Sequence, residues 1–216
     1  MKSLDKAAAN AAWFIVACML VHNMNALWLE PTYLGFVDKA RDYGDMAKIL
    51  NAQFSFSFLT SGTAHIVCGF SMLVLGLGLK ERFLGAHPVG AQLLMLAAGL
   101  SGLGFLLTGM SDIPGAVYAK ILRDVNPDRW EEVLLINTMI RSVVNVLAIV
   151  GLSWTAGQLA WLTRKTRAFP PWFGWYGWLM LFPGLASFVF PPIGFSYLQL
   201  TIVWAGALGW YLRKTG

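Results

Sequence analysis

Three side chains capable of acid–base or ion-pair chemistry lie inside stretches that are otherwise apolar: His22, His65 and Arg141. An imidazole can donate, accept or transfer a proton near neutral pH. A guanidinium keeps its charge and can hold a carboxylate or phosphate by paired hydrogen bonds. Each of the three has polar company at helical spacing. Ser57, Ser61 and His65 stand at i, i+4 and i+8, with Cys68 continuing the stripe. Asn137, Arg141 and Asn145 repeat the pattern, and His22 and Asn25 are three apart. Residues three and four apart share a helix face, and polar side chains avoid lipid, so these stripes should point inward. Arg141 then needs an acid beside it, for which Asp112, Glu30 and Glu131 are available. The catalytic candidates are therefore His22, His65 and Arg141. The ligand-binding candidates are Asn25, Ser61, Asp112, Asn137, Asn145, Tyr197 and Gln199. Taken singly, Ser and Asn between transmembrane helices are commonly hydrogen-bonding glue worth only ~0.6 kcal/mol apiece. It is their grouping around ionisable residues that points to a site.

The elements that position these residues follow from composition. Of 216 residues, 57% are hydrophobic and 12% charged, against roughly 45–50% and about 25% in soluble domains. That balance, with 10 Trp and 14 Phe, excludes disorder, nucleic-acid binding as a main task and a secreted disulfide scaffold. Two cysteines, Cys18 and Cys68, make neither a zinc site nor a disulfide framework and read as small core residues. The expected fold is an all-α integral membrane protein, a single membrane domain over 1–216. Six spans are expected near 7–29, 52–79, 88–111, 133–163, 172–190 and 193–212, each reaching or approaching the ~20 residues needed to cross a bilayer.

Charge sets the orientation. With the N-terminus inside, nine Lys/Arg (Lys2 and Lys6 through Arg213 and Lys214) flank the inner ends and six flank the outer ones. That bias favours N-in and C-in, hence a multi-pass protein of the inner (plasma) membrane. The first span follows Lys2 and Lys6 as a signal peptide would, and Ile15-Val16-Ala17-Cys18 resembles a lipoprotein cleavage box. A retained anchor is the expectation, since cleavage there would leave a chain starting inside an apolar stretch.

In the first outer loop, Phe36, Ala40, Tyr43, Ala47 and Leu50 recur at helical spacing, which predicts an amphipathic interfacial helix over 36–50 acting as a lid. Asn126-Pro127-Asp128 with Glu131 and Glu132 predicts that the fourth helix begins near Pro127. Trp130, Trp172 and Trp175 fit interfacial anchors. Pro183-Gly184 predicts a kink in the fifth span, and Pro191-Pro192 break the chain before the sixth.

A rise of 1.5 Å per residue places His22 about 24 Å and His65 about 22 Å above the inner boundary. Gln199, Tyr197 and Ser187 fall at about 21–24 Å, Asn145 near about 28 Å, and Arg141 and Asp112 near about 34–36 Å. The polar side chains therefore concentrate in the outer half. The leading reading is an outward-facing pocket, lined by the first, second, fourth and sixth helices, for a small amphipathic or anionic ligand. Its owner would be a small membrane enzyme or an uptake component. Six helices with both ends inside also resemble the substrate-binding components of vitamin uptake systems.

The ending, with its basic Arg164-Lys165-Thr166-Arg167 turn followed by Pro170-Pro171-Trp172-Phe173-Gly174-Trp175, looks like several uncharacterised bacterial six-helix membrane families over roughly the last fifty residues, a likeness that implies no activity. Over 60–115, Ser61-Gly62 and Gly99…Gly104-Phe105 look similar to stretches of small haem-dependent membrane epoxide isomerases. Thr60, however, stands where their iron-ligating histidine is expected, and those proteins have fewer helices. A haem b site using His22 and His65, at nearly one height, is thus an alternative. A third reading is a non-catalytic accessory subunit with a membrane-protein partner, or a homo-oligomer. It is consistent with the lack of a nucleophile motif, phosphate loop or metal-ligand cluster.

Overall fold

Helix ends in the computed structural model, which describes residues 2–29, 55–190 and 193–215, fall largely where proline and turn chemistry place them. The chain forms α1 (Lys2–Met24), α2 (Phe56–Leu84), α3 (Pro88–Met110), α4 (Ala116–Val125), α5 (Trp130–Thr166), α6 (Pro171–Ala186) and α7 (Ile193–Thr215). Pro88 and Pro171 each open a helix, where a missing N–H costs nothing. The predicted amphipathic helix over 36–50, Glu30 and Pro191-Pro192 lie outside the described residues, as does the side chain of Ser57.

Among the described residues, four continuous helices are long and apolar enough to cross a membrane: Ser3–Met24, Leu59–Leu84, Pro88–Val125 and Trp130–Thr166. Six continuous helices in all run through the described residues, α3 and α4 forming one of them. A girdle of exposed large apolar side chains, among them Phe14, Leu20, Phe70, Leu96, Leu103 and Phe182, surrounds the bundle. An apolar surface of that extent is foreign to a soluble monomer.

Helices adjacent in sequence are adjacent in space. α1 packs on α2, α2 on α3, α3 on α5, α5 on α6 and α6 on α7, and α7 returns to α1. The result is a closed ring. Its terminal end carries Lys2 and Thr215 together with the α2–α3 and α5–α6 turns, and there Asp5 accepts from Arg82, which also donates to Thr215 Oγ1 at 3.0 Å. The half nearer this end is filled by Ile15, Leu75, Leu79, Phe83, Phe173, Trp204 and Leu208, all essentially inaccessible. Small residues bring α3 and α5 together. A Cβ on Gly104 would stand 2.5 Å from the Ala148 amide nitrogen, and one on Gly151 would collide with Ser101. Ser101 uses the closeness to donate to the Ala148 carbonyl at 2.9 Å.

Two boundaries around the third and fourth helices differ from the sequence expectation. The third helix does not stop at 111. It passes through a π-helical turn, Ser111–Gly115, into α4. Pro114 lies inside that turn; proline offers no N–H and its ring clashes with the preceding turn, and the wider π geometry absorbs both effects. The fourth helix begins at Trp130 rather than Pro127. Asn126 instead closes α4, its N–H donating to Leu122, while the Arg129 N–H donates to the Asn126 carbonyl in a turn that holds Pro127. Trp130 is consequently not an interfacial anchor: it is buried with Ala119 and Leu134 in the α4–α5 elbow. Trp172 and Trp175 are exposed.

Candidate functional site

The far half of the ring, away from the termini, holds a connected set of polar side chains. Asp112 comes first, because the π turn positions it. Its carboxylate is wholly inaccessible, and both oxygens are used. His65 Nδ1–H donates to Oδ2 at 2.8 Å, and Arg141 Nε–H donates to Oδ1. A buried carboxylate is retained when it is paired and hydrogen-bonded on its remaining lone pairs. Asp112 thus joins α2, the α3–α4 turn and α5. Of the acids the sequence offered to Arg141, Asp112 is the partner seen.

His65 is 5% exposed, with its ring stacked on Phe105 at 6.1 Å between centroids. With Nδ1 committed to Asp112, a neutral ring presents its lone pair at Nε2. This is the arrangement by which a carboxylate fixes the tautomer of a catalytic or metal-binding histidine. The His22 ring lies 5.1 Å from that of His65, tilted by 50°, and His22 Nδ1 is 3.3 Å from Ser61 Oγ. Asn25, in the π-helical turn Asn25–Leu29 that ends α1, donates to Thr60 Oγ1 at 3.0 Å.

Between these groups lies a cavity of about 10 Å³ lined by His22, His65, Cys18, Cys68, Phe105 and Asn145, with Leu198 on its α7 side. That is room for about one water molecule or the small polar end of a ligand. It does not take a tetrapyrrole: two imidazoles 5.1 Å apart leave no slot for a macrocycle between them. The His22/His65 pair as arranged does not fit haem b. Among the described residues no group of three or more His, Cys, Asp or Glu is placed to hold a metal ion.

The remaining candidates divide. Asn145 lines the cavity. Asn137 is held elsewhere, exchanging hydrogen bonds with Ser111: Ser111 Oγ donates to its Oδ1 at 2.8 Å, and its Nδ2 donates to the Ser111 carbonyl at 3.1 Å. It braces the π turn from α5. Tyr197 is buried but sits by Gly184 rather than in the cavity. Gln199 is exposed, because two residues advance an α-helix by about 200° and carry it to the face opposite Tyr197. Phe105, a wall of the site, escaped the sequence reading, since an aromatic in an apolar span carries no polar signal. So did the π turn, whose one signal in the sequence is Pro114 two residues after the lone acid of an apolar stretch.

Comparisons of the chain with protein-family models, with curated proteins and with solved structures each return no match.

Proposed function

We propose that the chain is a six-span membrane protein of the inner (plasma) membrane, N-in and C-in, and that its far half faces outward. There it carries an acid–base site that binds the polar end of a small ligand and exchanges a proton with it through His65. Such a site serves a small membrane enzyme or a proton-linked uptake component. The observation that carries the reading is the His65–Asp112–Arg141 chain closed on one side by His22. Ionisable residues inside a membrane are costly and mark proton relays and substrate paths. A histidine oriented by a carboxylate is a recurrent acid–base device. Because Asp112 neutralises Arg141, the site has little net attraction for an anion, which favours a neutral or weakly polar ligand end over a carboxylate or phosphate.

Native mass spectrometry of gently extracted protein tests this. A small polar molecule retained by the wild type and lost in His65→Gln supports the reading. Release of no small molecule, or equal retention by both proteins, overturns it.

An accessory-subunit reading draws on a different observation. The far half of α5 exposes Val133, Leu135, Ile136, Met139, Ile140 and Val143 on its outer side, a continuous apolar strip that a partner helix could cover. A second membrane protein co-purifying at fixed stoichiometry, and lost when Met139 and Val143 become Trp, would favour it.

A further inference from the structure

A second, larger cavity lies at the opposite end of the ring. It is a cleft of about 760 Å³ between the end of α5, the start of α6 and the last turns of α7, within the size range of small-molecule sites. Three cations line it, Arg164, Arg167 and Lys214, and among the described residues no carboxylate does. Neither arginine lies within ion-pair distance of a carboxylate among the described residues. Trp175, Trp178, Tyr211 and Phe169 line it as well. The cleft is therefore amphipathic, with cations and aromatic rings in one lining.

Arg167 caps α5 in the left-handed conformation, φ 56°, which L side chains rarely adopt. That position ordinarily goes to glycine, yet here it carries a long cation into the cleft. The first turn of α6 also opens there without a side-chain cap, so the positive end of its helix dipole adds to the three cations.

We propose that this cleft binds an anionic phospholipid of the inner leaflet. The phosphate lies among Arg164, Arg167 and Lys214, and the glycerol and first methylenes lie against Trp175 and Trp178. A soluble phosphate would satisfy the cations but leave the aromatic rings bare; a zwitterionic lipid would cover the rings but gain less from three cations. The inference rests on the membrane reading above, with the terminal end of the ring on the cytoplasmic side.

The test uses the full chain. Its recovery in the membrane fraction after an alkaline wash checks the membrane reading by itself; a chain released by that wash sinks the membrane reading and this inference together. For the embedded chain, thermal unfolding and native mass spectrometry in mild detergent are followed with phosphatidylglycerol, phosphatidylcholine or inorganic phosphate added. Phosphatidylglycerol should bind and raise the Tm well beyond the other two, and each neutralised cation should weaken its binding roughly fivefold. Arg164→Gln, Arg167→Gln and Lys214→Gln are measured singly and together, so a triple variant that fails to fold leaves three single readings. Arg213→Gln is the control, since Arg213 lies outside the cleft and donates to Asn10. Equal binding of phosphatidylcholine, equal stabilisation by inorganic phosphate, or full selectivity in the cleft variants would each overturn the assignment while leaving the membrane reading intact.

Discussion

Asp112 has two partners, and removing each tests a different property. Arg141→Met leaves a buried carboxylate facing only His65 and should destabilise the folded protein by about 3 kcal/mol, the low end for breaking a buried pair because Arg141 is partly exposed. Pairing it with Asp112→Asn should recover much of that loss, since both charges then disappear. Urea or thermal unfolding in mild detergent reads the difference, and a double variant no more stable than Arg141→Met alone would mean the pair is not what holds Asp112. His65→Gln should behave in the opposite sense. It should change stability little while lowering turnover or proton-coupled uptake by ~10²–10⁴, the usual worth of a positioned acid–base group.

At this scale much was legible in the sequence. Counting residues from the basic flanks put His22 and His65 at one level, and their rings touch. The Asn137–Arg141–Asn145 stripe does face inward, though each member meets something different: the π turn, Asp112 and the cavity. Gln199 failed because height was counted without phase. Tyr197 and Gln199, two apart, never share a helix face.

Two elements decide whether the site exists. One is the π turn Ser111–Gly115, built around Pro114 and braced by Asn137. Pro114→Ala restores an N–H and relieves the clash, so the turn is free to tighten toward α-helix, which would rotate Asp112 away from His65. The expectation is unchanged or greater helical stability with a loss of function. Solution NMR of the His65 imidazole, whose Nδ1–H signal reports the carboxylate bond, checks it; an unaltered signal would show that Asn137 alone sets the turn. The other element is the α3–α5 seam. Gly104→Leu must push Ala148 away and should cost about 1–3 kcal/mol as overpacking does, a loss visible as a lower Tm. Proline and glycine were readable as residues in both places. What they build depends on the neighbour they meet, and periodicity does not report that.

For the whole molecule, polarity divides the ring into an apolar half near the termini and a polar half beyond it, as summing side chains along six apolar spans implied. Four of those helices have the length and composition of membrane spans; α6, at 16 residues, is shorter than the ~20 that cross a bilayer. The proposed topology predicts that reporters placed after Gly216 and within 36–50 lie on opposite sides of the membrane. The same side for both would mean that an odd number of the intervening five spans is miscounted.

The ring has one seam that is distant in sequence. Every other extensive helix seam joins neighbours in the continuous chain, whereas α1 must wait for α7, whose last turns also deliver Arg213 to Asn10 and Thr215 to Arg82. During synthesis α1 to α3 can therefore settle, with His22, Ser61, His65 and Asp112 already in contact, while the face of α1 at Ala9 and Trp13, which meets Gly209 of α7, still lacks its cover. A closed ring also has no obligatory starting point. A circular permutant opened in the α2–α3 turn at Gly85 and joined across the old ends by a short linker should assemble the same bundle, because the new order makes the α7–α1 seam local. If it migrates and unfolds like the native chain, the architecture is set by which helices touch and not by the order in which they are made.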